Sequence, residues 1–154
     1  MFDAIRKLNS RVKSFNQPAE MKRILKDGLL QAQIVDLNQQ QLYEEGVQAD
    51  GTPTGEYAPI TISYFKPRAA AEGRDGRSDH ITGKDTGETY KSMKVESKAD
   101  GVVITADDRN NFFDRIDEGL GLTTESKIEI LPEIKERLID AIKKKIISKK
   151  TVAA

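Results

Sequence analysis

Cysteine is absent from the 154-residue chain, which excludes a disulfide framework, a thiol nucleophile, a zinc ribbon and an iron–sulfur site. A reducing compartment is compatible with that absence. Aromatic residues make up only 6% and apolar residues 37%, against 32% charged. So lean a mixture supports one modest core and leaves much surface for solvent or partners, which disfavours a large stand-alone enzyme. No run of 18 apolar residues occurs, and the first nine carry Asp3, Arg6 and Lys7. Neither a membrane span nor a signal peptide is expected.

Net charge is lacking as well, because 25 Lys and Arg balance 25 Asp and Glu. Whole-molecule attraction to nucleic acid is therefore not expected. The distribution is uneven: residues 1–26 hold seven basic and two acidic groups, 27–126 hold ten and nineteen, and 127–154 hold eight and four. Basic ends flanking an acidic middle suit head-to-tail packing of copies, although solvated helix faces give the same count.

Phe2, Ile5, Leu8, Val12 and Phe15 recur every three or four residues and draw one stripe on a helical arm over residues 1–17. Pro18 opens a second helix, expected to run to about Tyr43 with Gly28 near its middle. The turn formers between Glu45 and Gly55, with Asp50-Gly51 among them, make a surface loop. Tyr57 to Phe65 is β-branched and aromatic and reads as an edge strand, with Pro59 keeping it from a sheet centre. Residues 66–84 lose apolar content and read as a long flexible loop. Asp85, with Glu88 three positions on, suggests a capped helical turn. Lys94-Val95-Glu96 and Val102 to Ala106 flank an Asp100-Gly101 turn, the clearest hairpin signal. A short helical piece spans Asn111 to Glu118. Thr123 or Thr124 caps a further helix, Pro132 marks an interruption or a new start, and Ile134, Leu138, Ile142 and Ile146 form a stripe on the last helix. Residues 149–154 form a fraying tail. The order describes one α+β domain over 1–154, in which a small antiparallel hairpin sheet is packed by long N-terminal and C-terminal helices.

Catalytic patterns are weak. His80, the only histidine, has no triad context, and Asp75 and Asp79 beside it lack the oxygen spacing of a calcium loop. A solvated loop is the expected role. Gly76 to Lys84 misses the phosphate-loop spacing, and Asp85 stands where Ser or Thr would bind magnesium. Ser10-Arg11-Val12-Lys13 matches a serine and lysine pattern without its partner motifs. The carboxylates Asp107, Asp108, Asp114 and Asp117 sit where turns and helix starts ordinarily place them. Lys143-Lys144-Lys145 with Lys149-Lys150 could contact phosphate backbones, but lysines near a helix C-terminus also complement its dipole, and no aromatics accompany them.

Three segments carry a resemblance. Leu42-Tyr43-Glu44-Glu45-Gly46-Val47-Gln48-Ala49-Asp50-Gly51, then Tyr57-Ala58-Pro59-Ile60-Thr61 with Lys66, then Thr82-Gly83-Lys84-Asp85-Thr86-Gly87-Glu88-Thr89-Tyr90-Lys91-Ser92-Met93 resemble the small morphogenesis proteins of tailed bacteriophages. These are the virion-morphogenesis, tail-completion and neck (head–tail connector) proteins, including relatives from Bacteroidetes phages and prophages. Gly121-Leu122-Thr123 fits the segment those proteins carry near the C-terminal helix. The resemblance spans about residues 40–148, and none of its motifs is catalytic.

It implies a non-enzymatic structural protein without cofactor or metal, made in the host cytoplasm and placed in the virion as a ring at the head–tail junction. The implied partners are further copies of itself and neighbouring portal, neck or tail proteins, with no small-molecule substrate and no membrane. The candidate subunit-interface residues are Tyr57, Pro59, Thr61, Lys66, Arg68, Arg74, Arg77, Asp85, Thr86, Gly87, Tyr90, Ser92, Ile142 and Ile146. A small nucleic-acid-binding regulator that uses the C-terminal lysines is the alternative, and a salt titration of DNA binding separates the two.

Overall fold

A computed structural model describes residues 6–7, 10, 12–98, 101–109, 112–113 and 119–147. Among the described residues five α-helices and one hairpin carry the fold, which is α+β as expected. They are α1 (Gln17–Ile24), α2 (Gly28–Gln40), α3 (Lys66–Ala71), α4 (Glu88–Lys91), β1 (Lys94–Ser97), β2 (Val102–Thr105) and α5 (Thr124–Ile147). The expected N-terminal arm is helical at residues 6–7, 10 and 12–13, and its remainder lies outside the described residues. So do most of the helical piece at Asn111 to Glu118, Asp100 of the hairpin turn, and the tail.

The single helix expected from Pro18 to Tyr43 is two helices. Asn16 Oδ1 accepts from the Ala19 N–H at 3.0 Å to start α1. The chain then breaks over Leu25 to Asp27, because extended Asp27 starts a new helix by accepting from the Leu30 N–H at 3.2 Å. That bond is the main reason the Asp27 carboxyl titrates below its ordinary range; burial opposes it, and Arg137 adds to it from 2.9 Å. Gly28 is thus the first residue of α2, not its middle. Beyond Gln40 the helix widens into a π-helical turn, Gln41–Glu45, and stops at Gly46 with φ +64°. A Cβ there would lie 2.6 Å from the His80 ring, so both conformation and contact require glycine.

The edge strand expected over Tyr57 to Phe65 is instead helical from Pro59 onward. Thr61 and Ile62 donate to the Ala58 carbonyl at 2.8 and 3.2 Å, and the turn continues as a π-helical segment, Thr61–Phe65, into α3. Pro59 explains the outcome, because its fixed φ and missing N–H suit a helix start, and no neighbouring strand rewards the β-branched residues. Lys66 donates back to the Thr61 carbonyl, and that wider turn accommodates Pro67, which has no N–H to give.

The hairpin aligns Lys94 with Thr105, Val95 with Ile104, Glu96 with Val103 and Ser97 with Val102. Val95 and Ile104 face inward as a pair while Lys94 and Val103 face solvent. Two strands alone are marginal in water, and β1 lies against α2. Ile24, Leu30, Ile34, Val95, Ile104, Leu122 and Ile130 form the main core, with Leu42, Tyr90 and Met93 a second cluster.

Thr123 caps α5, its Oγ1 accepting from the Ser126 N–H at 3.1 Å. Pro132 neither interrupts nor restarts this 24-residue helix but lies inside it. Its ring removes the bond to the Ile128 carbonyl, and both residues are exposed, so water can serve that carbonyl. Pro132→Ala is accordingly expected to stabilise the fold by about 1–3 kcal/mol, a gain measurable as a rise in the chemical-denaturation midpoint. An unchanged or lowered midpoint would refute it. No described helix is long and apolar enough to cross a membrane.

Candidate functional site: a braced cleft and an exposed apolar turn

Residues 66–84 do not form the long flexible loop expected. They hold α3 and then wrap around a buried ion pair. Lys66 Nζ donates to Asp75 Oδ2 at 3.0 Å, and the two side chains are 10% and 2% exposed. Two buried opposite charges with further donors explain the order that low apolar content disguised. Thr82 Oγ1 donates to Asp75 Oδ2 at 2.7 Å, the Arg77 N–H donates to Oδ1 at 3.1 Å, and Tyr43 Oη approaches Oδ1 at 3.4 Å. Burial works against the charge on Asp75, but the Thr82, Lys66 and Arg77 hydrogen bonds outweigh it and hold the carboxyl below its usual range. Burial likewise opposes the Lys66 ammonium, and contacts with Tyr57 and Asp75 raise it nonetheless.

Tyrosines close the cluster. Tyr57 Oη accepts from the Thr82 N–H at 3.1 Å, and Tyr90 Oη donates to the Thr82 carbonyl at 2.5 Å. Lys66 Nζ stands 4.3 Å from the Tyr57 ring centre, and Lys84 Nζ stands 4.2 Å from that of Tyr43. Burial pushes the Tyr90 phenol well above its ordinary range, with Asp75 adding to the shift. Gly83 adopts φ +67°, and Phe112 fills the space a side chain would need.

Beside this cluster Arg77 and Arg74 are each paired with carboxylates. Arg77 donates to the Tyr43 carbonyl and to Glu44 Oε2 at 2.9 Å. Arg74 bridges Glu72 at 2.8 Å and Asp85 at 2.6 Å. Asp85 does not cap α4; Gly87, at φ +84°, takes the cap position. A cleft of about 720 Å³ opens beside the cluster, between Tyr57, Phe65 and Lys66 on one wall and Arg74, Lys84 and Phe112 on the other. On its rim the turn from Ile60 to Phe65 exposes four large apolar side chains. Ile60 is 59%, Ile62 41%, Tyr64 55% and Phe65 55% exposed, and the last two rings meet edge to face at 5.2 Å.

The candidate interface residues divide accordingly. Lys66 and Tyr90 are buried inside the cluster and Tyr57 lies half-buried against it, so the first two serve the fold and not the surface. Gly87 is buried as well. Pro59, Arg68, Asp85 and Thr86 are exposed, and Thr61, Arg74 and Arg77 partly so. Ser92 Oγ donates to the Thr89 carbonyl at 2.7 Å and accepts from the Asp107 N–H at 2.8 Å, joining α4 to the end of β2. Ile142 is half-buried, and the Ile146 side chain lies outside the described residues.

His80, expected in a solvated loop, is packed against Gly46, with Nε2 3.0 Å from the Tyr43 carbonyl. Asp75 faces Lys66 instead of His80, and among the described residues no three His, Asp or Glu groups are placed to hold a metal. Of the C-terminal lysines, Lys145 reaches the Ser14 carbonyl at 3.3 Å and the Phe15 ring at 5.6 Å. Sequence reasoning missed the exposure of Ile60, Ile62, Tyr64 and Phe65. The available signal was an aromatic and β-branched run too dense for so aromatic-poor a chain.

Comparison of the chain with protein-family models, with curated proteins and with solved structures gave no match.

Proposed function

We propose that this chain is a non-enzymatic structural subunit of a tailed-phage virion, a neck, head–tail connector or tail-completion protein that assembles into a ring at the head–tail junction. The observation that carries the reading is the exposed apolar turn Ile60, Ile62, Tyr64 and Phe65, seated on a helix anchored by a buried ion pair. Four large apolar side chains gathered in six residues mark a contact surface more than a solvated one. Rigid support keeps the ordering cost of association low. A head-to-tail contact that uses this turn against a different face of the next copy closes into a ring when the rotation permits. The resemblance of the Asp85-Thr86-Gly87 and Tyr57 to Lys66 segments to phage morphogenesis proteins supplies the setting.

Quantitative mass spectrometry of purified particles tests it directly: a fixed copy number of roughly six to twelve, one closed ring, is expected, and absence from intact particles would overturn the proposal. A double variant, Ile62→Ser with Phe65→Ser, is expected to keep its circular dichroism and its stability within about 0.5 kcal/mol, as exposed sites do. It is expected to fail to enter particles. Normal incorporation would remove this turn as the contact.

A further inference from the structure

The fold gathers at two ends charge that is scattered along the sequence. Asp27, just ahead of α2, pairs with Arg137, whereas Gln41, just past its end, bonds Gly121 and Thr123. α2 thus runs antiparallel to the first half of α5 and holds the two ends about 20 Å apart. Residues 12–27 and 137–147 make one end: Lys145 Nζ donates to the Ser14 carbonyl at 3.3 Å, and Arg23, Lys26 and Lys144 line one groove of about 400 Å³ between α1 and α5. Residues 44–90 make the other, with the cleft, the buried cluster and the Ile60 to Phe65 turn.

The first end carries eight Lys and Arg against three carboxylates. Each carboxylate already faces a cation: Glu20 faces Arg23, Asp27 faces Arg137, which Glu133 also holds, and Asp140 faces Lys143 at 3.9 Å. Lys13, Lys22, Lys26, Lys144 and Lys145 are exposed and make no ion pair among the described residues. The cleft end carries nine carboxylates against five Lys and Arg. Five of the nine are taken by Lys66, Arg68, Arg74 and Arg77. Glu45, Asp50, Glu56 and Glu88 are exposed and unpaired with any cation among the described residues, while Lys84, the fifth cation, stands over the Tyr43 ring. Glu56 lines the cleft together with Thr61 and Phe65 of the turn. Each end therefore holds what the other lacks in near-equal measure, five lysines against four carboxylates. The groove between α1 and α5 has buried Ile24 and Ala141 at its floor and exposed Arg23, Lys26 and Lys144 at its rim, with the paired Asp27 and Asp140 also lining it. An apolar floor inside a charged rim suits an apolar side chain flanked by carboxylates.

Taking the turn as one face of the head-to-tail contact proposed above, we infer that it docks on the basic end of the next copy, with Ile62 and Phe65 at the mouth of the groove between α1 and α5 and Glu56 among the lysines of its rim. The two faces differ and lie at opposite ends, so the contact is heterologous and adds copies in one direction. A nucleic acid would also meet the five lysines, but it would leave the apolar turn and the unpaired carboxylates of the opposite end without a role.

Sedimentation velocity of the full chain tests it with two variants, each defective at one end. The wild type is expected to associate with rising concentration at about 50 mM salt, and about tenfold more weakly at about 500 mM. Ile62→Ser with Phe65→Ser, and Lys26→Glu with Lys144→Glu, are each expected to be monomeric alone. Their equimolar mixture is expected to form a one-to-one dimer and nothing larger, because one intact turn meets one intact basic end. That dimer also shows that both variants are folded. Lys127→Glu with Lys135→Glu, the same change of charge outside the groove, is expected to associate as the wild type does. A wild type that stays monomeric at hundreds of micromolar overturns the inference, as does a mixture that stays monomeric or a lysine variant that associates normally. A chain that does not associate but binds duplex DNA in a salt-sensitive way through Lys26 and Lys144 would assign the basic end to nucleic acid instead. All of this is read on the purified chain, so absence from particles would remove the virion reading and leave the contact standing.

Discussion

Asp75→Ala is expected to cost about 3–5 kcal/mol, because it leaves the Lys66 ammonium buried without its counter-charge. Thr82, the Arg77 N–H and Tyr43 lose an acceptor in the same step. In a chain of this length such a loss lowers Tm by roughly 10 °C, and urea unfolding followed by circular dichroism measures it. A loss under about 1 kcal/mol would show that the pair adds nothing. Lys66→Ala is expected to cost a similar amount, and the double variant less than the two together, since each single change strands the other charge.

The same cluster contributes to both limbs of the pH profile. Asp75 has a carboxyl pKa depressed in the fold, so the stability it contributes is present above the unfolded value of about 3.9 and is lost as pH falls through the lower folded value. Tyr90 and Tyr43 are shifted the other way, each chiefly by burial. The folded state holds their protons after the unfolded chain releases them, so stability falls as pH rises past about 10. Asp75→Ala removes the acid contribution and relieves part of the alkaline one, because Asp75 is among the charges that raise both phenols.

How far the sequence discloses the fold follows from how local each signal is. The hairpin is legible because an Asp-Gly turn and alternating apolar residues lie within twelve positions, and Val95 opposite Ile104 pairs as that pattern requires. The last helix is legible from its stripe, although Pro132 misplaces its start. The cluster is not legible in the same way. Lys66, Asp75 and Thr82 stand in a segment whose composition reads as disorder, and nothing in the chain announces that a lysine and an aspartate nine residues apart are buried together. Tyr57 and Tyr90, 33 positions apart, complete the site through hydroxyl groups whose partners only the tertiary structure brings near. The segment from Pro59 misleads for another reason. Its β propensity describes a half-buried pleated surface that this fold does not provide there, whereas the proline's fixed φ acts regardless of context.

Gln41→Ala carries the second large effect, about 2–4 kcal/mol. Asn38-Gln39-Gln40-Gln41 is a polar run, yet Asn38 and Gln41 are fully buried. Gln41 Nε2 donates to the Gly121 carbonyl at 3.0 Å, and its Oε1 accepts from the Thr123 N–H at 2.8 Å. Asn38 Nδ2 donates to the same Gly121 carbonyl at 2.7 Å. These amides fasten the turn that starts α5 to the end of α2, so the substitution strands a buried N–H and opens a cavity where a large side chain stood. Denaturant unfolding measures the total, and hydrogen exchange locates it: the amides of the first turn of α5 are expected to lose more protection than those of the hairpin. A uniform loss would mean that Gln41 acts through packing alone. Gln41→Met separates the two contributions, because it nearly keeps the volume without a charge but loses both the acceptor for Thr123 and the donor to Gly121, and a cost near that of alanine would assign the effect to the hydrogen bonds.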